Sequence, residues 1–192
     1  MDFFSSDKLI TPSKGDLLIS EPYLPDPNFE RTVIFLCEHN ENGTFGFILN
    51  RKANVGLSEV LDEAGNYPGQ LFVGGPVERD TLHWIHREKS FKEGAIEVFK
   101  GLFWGGQIDK LTELMNLRSI QPEDIRFFIG YSGWAPGQLM DEMKAKSWIV
   151  YKNPTIEMIF DWDNQDLWKA CLNTMGGKFK LMSNYPKDPR LN

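Results

Sequence analysis

Cysteine is scarce in this chain: Cys37 and Cys171 are the only two in 192 residues, far apart and without the paired spacing of metal ligands. That excludes a cysteine zinc site, fits a reducing compartment and implies no disulfide. Histidine is almost as rare, with only His39, His83 and His86, so a histidine-rich metal centre would need carboxylates brought in from afar. No run of five or more Lys/Arg occurs, and the net charge of -6 opposes a polyanion, which argues against non-specific nucleic-acid binding. No window approaches the roughly 18 apolar residues of a membrane span, and MDFFSSDKLITPSKGD at the start lacks a basic region followed by an apolar one. A cytoplasmic location and no membrane partner are expected. Neither G-x-x-x-x-G-K-[ST] nor G-x-G-x-x-G is present, so no nucleotide cofactor, and no other cofactor, is expected.

What the chain does have is core-forming material. Hydrophobic residues make up 41% of it and aromatics 13%, enough for a sizeable buried interior in one domain over 1–192. Residues 1–12 read as a mobile lead-in. Strands are expected at 15–20 and at 31–38, the second apolar on both alternating faces and so central in its sheet. The Asn42-Gly43 turn joins it to a strand at 44–50 in a hairpin. Further strands are expected at 70–77, broken by Gly74-Gly75, and at 82–87, 95–103, 125–131 and 147–151. Helical spacing appears at 56–64, 108–117, 137–146 and 164–175, and 178–192 reads as an extended surface tail. Interleaved strands and helices without an internal repeat give an α+β fold.

The stretch GYSGWAPGQL, 130–139, lies where a strand passes into a helix, the place for a nucleophile or a phosphate. A nucleophile elbow needs G-x-S-x-G, and Trp134 stands at the final glycine position, so Ser132 reads as a structural serine. Anion binding by backbone N–H groups is the second reading, although Pro136 removes a donor and no Lys or Arg falls in 130–143. His83 and His86 have H-x-x-H spacing, which converges on one metal in a helix but splays onto opposite faces in the expected strand. The run from Asp161 to Asp166 imitates the start of a calcium loop but lacks its glycine and terminal glutamate; it reads better as helix capping. Cys37 and His39 share a strand face about 7 Å apart, too far for a thiol–imidazole hydrogen bond, so Cys37 reads as a small buried hydrophobe.

Three segments, FERTVIFLCEHNENGTFGFILNR at 29–51, FVGGPV at 72–77 with His86, and FIGYSGWAPGQLMDEMKAKSW at 128–148, together resemble the YqgE/AlgH family of small bacterial proteins. The matching positions are Glu38-His39, Gly46, Asn50-Arg51, Gly74-Gly75-Pro76, His86, Gly133-Trp134, Gly137-Gln138-Leu139, Glu142 and Trp148. Met140 and Ala135 depart from the pattern, standing where many relatives have an acidic residue and a glycine, as does the ending YPKDPRLN. The resemblance implies a compact α+β domain with a bent, partly split mixed sheet flanked by short helices. It also implies a function either unknown or labelled transcriptional regulation, with no agreed catalytic residues.

The leading expectation is therefore a non-enzymatic cytoplasmic regulatory or binding protein acting through a protein partner or a small ligand. The alternative is a ligand pocket or enzyme site built from the polar strand-end residues His39, Asn50, Arg51, His86, Ser132 and Gln138, with Gly74 and Gly75 admitting close approach. Its sharpest form places Arg51 and His39 in one anion-accepting pocket beside the glycine-rich turn. Against it stands an ion pair of Arg51 with Glu38 or Glu142, and a structural role for Gly74-Gly75-Pro76 and Trp134.

Overall fold

The computed structural model describes residues 9–161 and 166–187. Most of the expected lead-in, the last five residues of the expected tail and the start of the helix expected at 164 lie outside these. Nine strands form one sheet: β1 (Leu17–Ser20), β2 (Val33–Asn40), β3 (Gly43–Ile48), β4 (Leu71–Val73), β5 (Val77–His86), β6 (Ala95–Phe99), β7 (Leu102–Gly105), β8 (Ile125–Trp134) and β9 (Trp148–Tyr151). Their order is β6-β7-β5-β8-β3-β2-β1-β9, with β4 alongside β8. The β4–β8 pair is parallel and the others are antiparallel, so the sheet is mixed. The α-helices are α1 (Ile108–Asn116), α2 (Gln138–Lys144), α3 (Ile156–Phe160), α4 (Leu167–Met175) and α5 (Gly177–Met182).

The double-faced apolar pattern of β2 does what it predicts. Val33, Phe35 and Cys37 face one cluster with Leu17 and Ile19 of β1, sealed by Ile159 and Phe160 of α3 and by Leu167, Trp168, Cys171 and Leu172 of α4. Ile34 and Leu36 face the other side, under Leu139 and Met143 of α2. Farther along, Leu111, Leu114 and Met115, one stripe of α1, cover Phe127, Leu71 and Trp84. Helices thus lie on both faces, and the Asn42-Gly43 hairpin pairs His39 with Thr44.

Several elements differ from expectation for identifiable reasons. The strand read at 95–103 is a hairpin, because Gly101 at φ +85° turns the chain between β6 and β7. Residues 178–182, read as extended tail, are helical: Gly176 and Gly177 both take positive φ and redirect the chain into α5. The helix at 56–64 is two single 3₁₀ turns, and α3, capped by the Thr155 side chain, had no periodicity long enough to announce it. β5 begins at Val77 and reaches β8 again only at Leu82 after an irregularity, so 77 and 82–86 are one strand. The expected capping at 161–166 survives at Asp166, whose carboxylate accepts the Lys169 N–H; residues 162–165 lie outside the described set.

The sheet turns on β8. Its first half pairs with β4 and β5, and its second half, Ser132–Trp134, pairs with β3. Here Gly74, Gly75 and Gly130 bring three backbones together: a β-carbon on Gly74 would collide with the Gly130 carbonyl, and one on Gly75 with Tyr131. Gly74→Ala is expected to cost about 3 kcal/mol, because the obstacle is backbone and cannot rotate away. Gly56→Ala, where a β-carbon meets only ordinary van der Waals contacts at an ordinary φ, should stay within about 0.5 kcal/mol. Urea-unfolding midpoints of the two variants check the contrast, and equal midpoints would refute it.

Candidate functional site

The polar residues expected to converge are distributed instead over separate places. His39 lies at the hairpin end of β2, its Nδ1 2.6 Å from the Thr44 hydroxyl. Arg51 follows the opposite end of β3. With His39 opposite Thr44, the seven residues from Thr44 to Arg51 put the two side chains on the order of 20 Å apart. No anion pocket joins them. The ion pair with Glu38 or Glu142 is absent as well: Arg51 donates to the Asn28 carbonyl at 2.6 Å, and the acids whose charge reaches it are Glu30 and Asp26. Burial lowers its pKa from the ordinary value, against the pull of those two carboxylates.

Asn50 is a backbone surrogate. Its Oδ1 accepts the Val33 N–H at 2.9 Å and its Nδ2 donates to the Arg31 carbonyl at 2.8 Å. Gly74, Gly75 and Ser132 do come together, but for the crossing at β8: the buried Ser132 hydroxyl donates to the Gly74 carbonyl at 3.0 Å. A buried serine whose hydroxyl is spent on a carbonyl, and which among the described residues makes no hydrogen bond to a basic side chain, does not fit the nucleophile reading.

Gln138 belongs to a clasp that accounts for GYSGWAPGQL. One carboxylate oxygen of Glu142 accepts the indole N–H groups of both Trp134, at 2.9 Å, and Trp148, at 2.7 Å. The other accepts the Gln138 amide at 3.0 Å, while the Gln138 carbonyl takes the Ala135 N–H. That backbone donor, the one an anion would have used, is therefore spent. Trp134 lies over Phe29 and edge-on to Trp148, closing the apolar face beneath α2.

His86 is fully buried at the far end of β5, with its ring 4.7 Å from that of Phe91 and 5.4 Å from that of Phe103. Neither ring nitrogen has a hydrogen-bond partner in good geometry. Burial lowers its pKa from the ordinary 6.5, and the nearby backbone of Glu88 and Gly105 offsets only part of that. The strand spacing sends His83 elsewhere, as the alternation along β5 requires, so the two imidazoles do not share a metal. Among the described residues no cluster of three His, Cys, Asp or Glu is positioned to hold one.

His83 enters a groove that sequence reasoning missed. The groove encloses about 570 Å³ where β8 changes partner, with Phe45 of β3, Val77 and His83 of β5, Trp104 of β7 and Tyr131 of β8 as its apolar lining. Glu38, Asn40, Asn42 and Thr44 add polar groups from the β2–β3 hairpin. The Phe45 ring lies 4.6 Å from that of Trp104 and 6.1 Å from that of Tyr131, both tilted steeply to it. Gly133 pairs with Phe45 across the strands, and the Tyr131 ring packs over it, 3.1 Å from where a β-carbon would stand. The Thr81 hydroxyl donates to the Glu78 carbonyl, so His83 Nε2, 2.8 Å away, carries the proton given to that hydroxyl oxygen. His83 Nδ1 is left as an acceptor. Burial lowers the His83 pKa and Glu78 works against it. The only sequence signal was three aromatics at strand positions next to glycines, on strands whose adjacency no local pattern reveals.

A helix-flanked mixed sheet with a pivot at β8 defines a small α+β domain that carries this groove at the pivot. The chain belongs to the AlgH-like family, whose model matches residues 17–180. It is 41% identical over 181 residues to a UPF0301 protein of Cytophaga hutchinsonii, covering 94% of this chain and 99% of that one. A UPF0301 protein of Chlorobium limicola is 43% identical over 178 residues, covering 93% and 95%. The fold resembles the solution structure of the AlgH protein from Pseudomonas aeruginosa, with a TM-score of 0.72, 27% identity and coverage of 93% and 98%. A crystal structure of a Corynebacterium diphtheriae protein shares the fold at a TM-score of 0.76, 22% identity and coverage of 92% and 94%.

Two outcomes follow from these contacts. Trp134→Ala should cost about 3 kcal/mol through lost burial, and Glu142→Leu, which strands two indole donors, should cost more than Glu142→Gln, which keeps an acceptor. Denaturant midpoints of the three variants test the order, and Glu142→Leu as stable as Glu142→Gln would contradict it. For His86, the unfolded chain takes up a proton at a higher pH than the folded one. Stability is therefore full above pH 6.5 and falls as the pH drops below it. His86→Phe should flatten this acid limb between pH 6.5 and 5 without loss at pH 8; parallel limbs in parent and variant would assign the effect to other groups.

Proposed function

We propose that this protein is a non-enzymatic binding protein that holds a small ligand in the aromatic groove between β3, β5, β7 and β8. One observation carries the reading. The polar side chains that suggested chemistry, Asn50, Arg51, Ser132 and Gln138, are committed to backbone or clasp hydrogen bonds, whereas the groove presents aromatic faces and polar atoms without protein partners. Among the described residues, neither the Trp104 indole N–H nor the Tyr131 hydroxyl makes a hydrogen bond to the protein. An apolar concavity with a few unspent polar groups is the usual form of a small-molecule site. No helix among the described residues is long and apolar enough to cross a membrane. In this reading the protein works in the cytoplasm, and any regulatory effect is exerted through the ligand or a protein partner it attracts. The net charge of -6 disfavours a direct grip on DNA.

The test is a thermal-shift screen of the full chain against a chemically mixed small-molecule library, with native mass spectrometry of freshly purified protein for a retained compound. Compounds that bind should raise the Tm of the parent but not that of Trp104→Leu, a change at a partly buried ring whose retained fold circular dichroism verifies beforehand. Equal shifts in both proteins, or no shift and no retained mass, would overturn the groove as the site.

A further inference from the structure

The groove's chemistry is one-sided. Its lining holds the carboxylate of Glu38 and the amides of Asn40 and Asn42, but no Lys or Arg. A second carboxylate, Glu78, lies close enough to act on the His83 ring. The His83 Nδ1 lone pair and the Tyr131 hydroxyl oxygen are further acceptors, and the Trp104 N–H is a donor on the aromatic wall. Aromatic faces carry a negative quadrupole, so Phe45, Trp104 and Tyr131 and the nearby carboxylates favour the same sign of charge. An anion would meet repulsion from Glu38 with no cation to offset it. This is the reverse of the anion expected from Arg51, and the reason is positional: Arg51 lies at the other end of the β2–β3 hairpin.

Resting on the groove reading, we propose that the ligand is a small organic cation, an amine or quaternary ammonium compound, whose head group rests on the faces of Phe45, Trp104 and Tyr131 and is balanced by Glu38. The aromatic faces select a soft, weakly hydrated cation over a metal ion, since desolvating a compact inorganic cation would require more oxygen ligands than this lining offers. Glu38 is exposed and bonded through Oε1 to Asn40 Nδ2 at 2.6 Å, which fixes the carboxylate at the rim and leaves Oε2 for the ligand.

The experiment titrates ¹⁵N-labelled full-length protein with tetramethylammonium, choline and agmatine. 3,3-Dimethylbutan-1-ol, the uncharged carbon isostere of choline, and acetate are titrated in parallel. The Trp104 indole signal, assigned by its loss in Trp104→Phe, is the reporter. The indoles of Trp84, Trp148 and Trp168 are hydrogen-bonded within the fold, lie outside the groove lining and act as internal controls. At least one cation should shift the Trp104 signal saturably, choline should bind about tenfold more tightly than its isostere, and Glu38→Gln should remove most of that preference. Preference for the isostere or acetate, equal binding of choline and isostere, or no response to any of the three cations would overturn the proposal. Neutral library compounds that still depend on Trp104 would then leave the groove reading standing, whereas silence in both experiments would remove the two together.

Discussion

Backbone has to meet backbone at the middle of β8 with no β-carbon between, and the rest of the molecule is arranged around that closeness. Gly130 at φ +66° bends the strand, and Gly74 and Gly75 let the β4–β5 connection pass against it. The Gly74 carbonyl then receives both the Ile48 N–H and the Ser132 hydroxyl, tying β3, β4 and β8 at one point. Because β8 leaves β5 and joins β3 here, the sheet gains a bend, and the bend leaves Tyr131 and Gly133 bordering open space. The groove is the geometric remainder of the crossing.

Polar groups in this fold divide into two populations. Those inside or near the core are satisfied by a fixed partner: Glu142 by two indoles and a glutamine amide, Asn50 by the β2 backbone, Trp168 by the Ser20 carbonyl. Leaving any of them unpaired would cost on the order of 1–3 kcal/mol, a large share of a domain's margin. His86 departs from this pattern, stacked on Phe103 and tilted against Phe91 with neither ring nitrogen hydrogen-bonded in good geometry. The second population, at the groove, is bonded only in part: Glu38 pairs with Asn40 and Thr44 with His39, while among the described residues the Trp104 indole and the Tyr131 hydroxyl have no hydrogen-bond partner.

Much of the fold was legible in the sequence because it rests on local periodicity. The doubly apolar β2, the Asn42-Gly43 hairpin and the α1 stripe each declare their environment within a dozen residues. Short elements escaped: α3 is one turn and a half, and the β6–β7 turn hides in a largely apolar stretch, 95–104, where Lys100-Gly101 is its one local signal. The site was far less legible. Arg51 and His39 looked like partners because they flank one hairpin, yet an antiparallel register sends the two ends of that hairpin apart. Phe45, Trp104 and Tyr131 are neighbours only because β8 switches partner, a long-range fact absent from any of the three segments. Gln138 and Glu142 are four residues apart on α2, a spacing that permits contact on one helix face, but the purpose of that contact depends on Trp148 beyond the helix end.

Both thiols of the chain are sealed in the core. Cys37 and Cys171 are buried and unpaired with each other, and burial pushes their pKa upward, that of Cys171 to about 12. Thiolate is scarce under such conditions and access is closed, so alkylating reagents and mild oxidants have little purchase on the native state. The natural chain thus behaves as a cysteine-free background as long as it stays folded. A single thiol introduced at Asn42 on the groove rim would be selectively reactive, and a dye attached there would report occupancy of the groove without any of the native residues being replaced elsewhere.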